Sequence, residues 1–150
     1  MVFLFTALRL NGGVPALIFL LAMLYYFQKG DHLMAESKLR TLSIDFAVQI
    51  LNLVKFLKSQ HETIVSNQIG RAGTSIGANI HEAQYAHGKS DFIAKLQIAL
   101  KEANETSYWL LLLSKTNYIV PAEYDRLESL CRELRITLIS SINTAKGNIK

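Results

Sequence analysis

Four stretches of the chain carry apolar residues at helical spacing. In residues 38–60, Leu39, Leu42, Phe46, Ile50, Leu53 and Leu57 follow one another three or four positions apart. That period keeps a stripe on one side of an α-helix. A second row, Ile44, Ala47, Leu51 and Val54, reads as widening the stripe toward the core, and no Gly or Pro interrupts either row. In residues 62–86, Val65, Ile69, Ala72, Ile76, Ile80 and Ala83 repeat the pattern. Ser90 is expected to cap a third helix that runs to about Thr116, with Asp91 in its first turn favouring the helix dipole. Phe92, Leu96, Ala99, Ala103, Leu110 and Leu113 form its stripe. The segment Tyr108-Trp109-Leu110-Leu111-Leu112-Leu113 is apolar nearly all round, which predicts burial on more than one side. Pro121 suits the first turn of a fourth helix, where a missing N–H costs nothing. That helix carries Tyr124, Leu127, Cys131, Leu134, Leu138 and Ile142 and ends at Ala145-Lys146-Gly147-Asn148.

The breaks are short. Gly88, within His87-Gly88-Lys89, reads as the stop between the second and third helices, and Asn117-Tyr118-Ile119-Val120 as the loop before the fourth. Loops of a few residues force neighbouring helices to run antiparallel. The expected fold is therefore all-α: an antiparallel up-down-up-down four-helix bundle with an extra apolar N-terminal segment.

Residues 1–33 differ from the rest. Apart from His32, their only charged residues are Arg9, Lys29 and Asp31, and Val14–Phe27 is an unbroken apolar run of fourteen residues with Pro15 inside it. A bilayer-spanning helix needs about 20 such residues. Arg9 and the run suit a signal peptide, but Tyr25-Tyr26-Phe27-Gln28-Lys29 is a poor cleavage context. Met34 is followed by Ala35-Glu36-Ser37-Lys38, an ordinary polar start ahead of an amphipathic helix. The chain thus divides into residues 1–33 and a bundle domain, 34–150. The first segment is read as a mis-assigned start ahead of a membrane anchor or a cleaved signal. A membrane partner is expected only if that segment is native.

Composition narrows the class. The length of 150 residues fits one domain; half the residues are apolar and 19% charged, which excludes intrinsic disorder. The net charge of +4 permits an anionic partner without demanding one. A single cysteine, Cys131, excludes an intrachain disulfide framework and a cysteine-rich zinc site, and suits a reducing, cytoplasmic setting.

Chemistry is sparse. His81-Glu82 and His87 do not give the i, i+4 histidines of a zinc-protease helix. Glu102 and Glu105 have the spacing of a di-iron bundle but lack its histidine, and read as a solvated face. Ser75 has no local base, and Gly70-Arg71-Ala72-Gly73-Thr74-Ser75 lacks the phosphate-loop lysine. Cys131 lies on a core stripe; Arg132 and Arg135 would lower its thiol pKa and burial would raise it. No catalytic residue, cofactor site or metal site is expected, and the chain is not read as an enzyme.

The second helix is unusual. It carries Gly70, Gly73 and Gly77, each costing about 1 kcal/mol against Ala in a helix. It also carries an ordered polar row, Gln68, Arg71, Ser75, Asn79 and Glu82, set about 100° from the apolar row. Arg71 has no acid three or four positions away, so its counter-charge must come from another helix or another subunit. The row is expected to be an interface or a binding surface. The glycines are expected to admit a neighbouring backbone, with the helix packing on its own bundle and on an adjacent subunit.

The segment Asn67-Gln68-Ile69-Gly70-Arg71-Ala72-Gly73-Thr74-Ser75-Ile76-Gly77-Ala78-Asn79-Ile80-His81-Glu82-Ala83 resembles the signature of the four-helix-bundle family of 23S rRNA intervening-sequence proteins. Residues Ser90 to Thr106, and then Tyr108-Trp109-Leu110, match its third-helix pattern. The resemblance covers Met34 to about Lys146; Glu82-Ala83 stands where the family often has Glu-Gly. It implies a small bacterial bundle assembled as a homopentamer, with relatives that serve retroelement reverse transcriptases as basic accessory subunits. RNA or a nucleoprotein is then one expected partner, and a protein-interaction scaffold the alternative. Phosphate contacts would come from Lys38, Arg40, Lys55, Lys58, Lys89, Lys95, Arg126, Arg132 and Arg135. These are spread over three helices and a loop, and no aromatic–basic platform for single strands stands out among them.

Overall fold

The computed structural model describes the backbone of residues 16–147, and the side chains of Ile18, of residues 20–25 and from Lys38 onward. The start, anchor and signal expectations that rest on residues 1–15 lie outside the described residues, as does Asn148. The chain divides into two units, Met1–Leu33 and Met34–Lys150. In the first, Ile18, Leu20, Leu21, Met23, Leu24 and Tyr25 are all exposed. Among the described residues no helix is long and apolar enough to cross a membrane.

Four helices are described: α1 (Ala16–Ser59), α2 (Ile64–Ala83), α3 (Lys89–Lys115) and α4 (Pro121–Lys146). They form the expected all-α antiparallel bundle, and α1 begins well before residue 38. Each turn has a local cause. His61 adopts φ 58°, which carries the chain round so that the Glu62 carboxylate lies under the first turn of α2. Its oxygens accept the backbone N–H groups of Ile64 (3.0 Å), Val65 (2.9 Å) and Ser66 (2.7 Å), three of the donors that a helix start leaves unpaired. At the other end α2 stops at Ala83, before Gly88. Gly88 is extended (φ 177°) and precedes α3 rather than ending α2. Ser90 lies inside α3 instead of capping it, and Asp91 Oδ2 accepts the His87 N–H at 3.1 Å. Asn117 takes a left-handed φ of 60° in the next loop, and Pro121 opens α4 as expected. Gly147 closes α4 with φ 78°, a conformation that suits glycine.

Among the described residues the buried core runs from Leu39 to Ile142, so the bundle unit carries a core of its own. The periodic rows supply it: Leu39, Phe46, Ile50, Leu53 and Leu57 from α1, Ile69, Ile76 and Ile80 from α2, Leu96, Leu110 and Leu113 from α3, and Leu127, Leu134 and Leu138 from α4. The α2 glycines face α1. A Cβ on Gly73 would lie 2.8 Å from Ile50 Cγ2, and one on Gly70 would lie 3.2 Å from Val54 Cγ2. The close approach expected of a neighbouring element is thus made by α1 of the same chain. Gln49 and Lys38 of α1 reach Arg126 and Glu133 of α4. With α3 packed against both α2 and α4, α1 and α3 are diagonal partners whose outer faces point away from each other.

Two burial expectations need correction. Ile44 and Leu51 are 53% and 46% exposed, so of the second α1 row only Ala47 and Val54, both half-buried, flank the core stripe. Ile44 and Leu51 sit about 100–120° round the helix from Ile50, beyond the arc covered by α2 and α4. In the apolar α3 segment only Leu110 and Leu113 are fully buried; Tyr108 and Leu111 are 57% and 43% exposed.

Candidate functional site

The polar row of α2 faces α3. Arg71 Nη2 donates to Glu105 Oε1 at 2.7 Å, and Trp109 Nε1 reaches the same oxygen at 3.4 Å. Lys95 Nζ donates to Glu82 Oε2, and this bond first, then the carboxylate's charge, raises the lysine pKa. Asn79 Nδ2 donates to the Ser75 carbonyl at 2.8 Å. Gln68 is exposed. The counter-charges that α2 lacks therefore come from another helix of the same chain, in pairs that remain partly open to solvent.

Glu102 and Glu105 do not form a solvated face. Glu105 takes Arg71, and Glu102 is only 8% exposed, on the core side of α3. Cys131 is fully buried, and its Sγ donates to the Ala103 carbonyl at 3.2 Å. Burial, with Glu128 adding to it, pushes this thiol up to about 12 despite Arg135. It is a packed thiol rather than a nucleophile. Among the described residues no group of three or more His, Cys, Asp or Glu side chains is placed to hold a metal. A cavity of about 430 Å³ opens between the end of α1 and the α3–α4 loop, lined by Gln49, Asn52, Phe56, Tyr118, Val120 and Glu123 among others. It brings together no nucleophile and base.

The cations named from sequence fall into two sets. Lys38 pairs with Glu133 and Lys95 with Glu82. Arg126 pairs with Glu123 and Arg135 with Glu128. In the Arg126 pair the hydrogen bond holds the Glu123 carboxyl below its usual range and the guanidinium above its own. Arg40, Lys55, Lys58, Lys89 and Arg132 make no ion pair among the described residues, and neither do Lys101, Lys115 and Lys146. Among the described residues the exposed or half-buried carboxylates without one are Asp45, Asp91 and Asp125.

One arrangement escaped the sequence reading. Gln97, Lys101, Asn104, Tyr108, Leu111 and Lys115 are all exposed and succeed one another at spacings of four and three along the outer face of α3. None is acidic. The signal was present, since Lys101, Tyr108 and Lys115 are a heptad apart. It was hidden because Tyr108 was counted into a buried apolar run.

Comparison with known proteins places the fold. Residues 35–140 match the sequence model of the family described as 23S rRNA-intervening sequence protein. No curated protein matches the chain. A solved structure from Bacteroides thetaiotaomicron VPI-5482, a protein of unknown function from the S23 ribosomal protein family, is 50% identical with a TM-score of 0.72. The match covers 73% of this chain and 98% of that one.

Proposed function

The chain belongs to the family of 23S rRNA-intervening sequence proteins, and on that premise we propose that it acts without catalysis, as a small homo-oligomer associated with RNA or a nucleoprotein. The supporting observation is the imbalance of free charge on the bundle. Five cations are held by glutamates. Among the described residues the unpaired ones are spread over α1, α3 and α4 and outnumber the unpaired surface carboxylates. Such a surface attracts a polyanion through counterion release. By family resemblance the assembly is a pentamer, and the single cysteine suits a cytoplasmic setting.

A second reading, a protein-interaction scaffold, is favoured by a different observation. Ile44, Val48 and Leu51 form an exposed apolar stripe on the outer face of α1, with Arg40 and Lys55 at its ends. Such a stripe is better covered by protein than by nucleic acid. Retention of RNA by the full chain in a filter-binding series of rising salt separates the two. The RNA reading expects retention at 50 mM salt that fades by 200 mM. No retention at 50 mM would leave the scaffold.

A further inference from the structure

We propose that the outer face of α3 is a binding platform for single-stranded RNA, with Tyr108 stacking on a base and Lys101 and Lys115 holding phosphates on either side. The inference rests on the nucleic-acid reading above and centres it on Tyr108, Lys101 and Lys115, which lie outside the set named from sequence.

Three features of the face carry it. The first is an aromatic ring held ready. Tyr108 is exposed on one side and meets Trp109 edge-to-face, with ring centroids 4.9 Å apart and an interplanar angle of 67°. Trp109 is half-buried against the core and hydrogen-bonded to Glu105, so the ring beneath Tyr108 is fixed. An open aromatic face accepts any base, because every base has a π surface. The second feature is the placement of charge. Lys101 and Lys115 lie seven residues to either side of Tyr108 on the same stripe, about 10 Å away along the axis in each direction. Neither is tied up by a carboxylate, so neither must break an ion pair to meet a phosphate. The third is what lies between them. Gln97 and Asn104 offer amide donors and acceptors, and Leu111 is the one aliphatic residue of the six. A protein-binding helix face would be more apolar, as α1 is.

The neighbouring helix adds to the site. Arg135 of α4 reaches Asn104 Oδ1 at 3.4 Å, which brings α4 to the edge of the platform. Arg132 lies one turn from Arg135, exposed and without an ion pair.

The test is fluorescence anisotropy of a labelled twelve-nucleotide polyuridine strand titrated with the full chain. With Lys101, Lys115 and Arg132 neutralising three phosphates, a single-strand slope of about −0.7 per contact gives roughly a 20-fold loss of affinity between 50 and 200 mM salt. Tyr108→Ala should weaken binding by about 10-fold or more, and Tyr108→Phe, which keeps the ring, by less than about threefold. Lys101→Ala and Lys115→Ala should each weaken binding and flatten the salt slope by about 0.7. Gln60→Ala, an exposed neutral side chain just beyond the end of α1, should leave it unchanged. Circular dichroism melts of each variant separate lost binding from lost fold. If the chain binds the strand but Tyr108→Ala and Lys101→Ala bind as tightly as the parent, the platform is refuted while the RNA reading stands. If the parent binds no RNA at 50 mM salt, both fall.

Discussion

Two glycines four residues apart on α2 should respond in opposite directions to the same substitution. Ala is favoured over Gly in a helix interior by about 0.8–1 kcal/mol, so with no neighbour Gly→Ala stabilises by that amount. At Gly77 the added Cβ would meet Ser43 O and Oγ at 3.6 Å, ordinary contact, and the gain should be realised. At Gly73 it would lie 2.8 Å from Ile50 Cγ2 and 2.9 Å from Cγ1. Those atoms are bonded directly to Cβ of a β-branched residue whose χ1 is nearly fixed in a helix, so they cannot swing aside. The helix pair must part instead, and overpacking of this kind costs about 1–3 kcal/mol. Gly73→Ala is therefore expected to be destabilising by about 1 kcal/mol net and Gly77→Ala stabilising by about 1 kcal/mol. The measurement is urea unfolding followed by ellipticity at 222 nm, at one fixed protein concentration because assembly adds to apparent stability. A further check is Gly73→Ala with Ile50→Ala, which should be more stable than the two single losses together imply, since the new methyl fills part of the cavity. Equal stabilisation by Gly73→Ala and Gly77→Ala would refute the claim that α1 and α2 are in glycine-mediated contact at Ile50.

Other consequences follow from single side chains. Glu62→Ala removes the acceptor of three backbone N–H groups and should cost about 1–3 kcal/mol, with faster amide exchange at Ile64–Ser66 than in the rest of α2. Cys131, held protonated up to about 12 in the fold, should resist thiol reagents at pH 8 until the chain unfolds. Its folded pKa is raised, so above the ordinary thiol value the unfolded chain loses the proton first; stability should fall between about pH 9 and 12 by up to about 1.4 kcal/mol per pH unit, a slope absent in Cys131→Ala. Arg71→Ala breaks a largely solvent-exposed pair and should cost less than about 1 kcal/mol, leaving the helical signal unchanged.

The bundle was legible because its core residues obey a period, and a period survives in a single sequence. Leu39 through Leu57, Ile69 through Ile80 and Leu127 through Leu138 are buried where the spacing puts them. What the period does not carry is how much of each helix its neighbours cover. Ile44 and Leu51 are apolar and one row away from the core, yet α2 and α4 leave that arc open. Glu102 shows the converse: a carboxylate reads as solvated, but its position on the core side of α3 encloses it. The turn before α2 was invisible for a different reason. Glu62 acts as a cap only because His61 takes a left-handed φ, a backbone choice no periodicity records. At the candidate site, the polar row on α2 was found from sequence, but its partners Glu105 and Lys95 lie on another helix and needed the structure. The α3 face is hard to see in the sequence because Tyr108 opens an apolar run that continues through Trp109 and four leucines.

Analytical ultracentrifugation tests the proposed function most directly, with a labelled single-stranded RNA and the protein in one cell at 50 mM salt. The full chain and the Met34–Lys150 chain are run in parallel. In both, the RNA should sediment together with a species several protomers in mass, and it should be released as salt is raised to 200 mM. RNA sedimenting at its free rate beside protein of single-protomer mass would contradict both the assembly and the association with RNA.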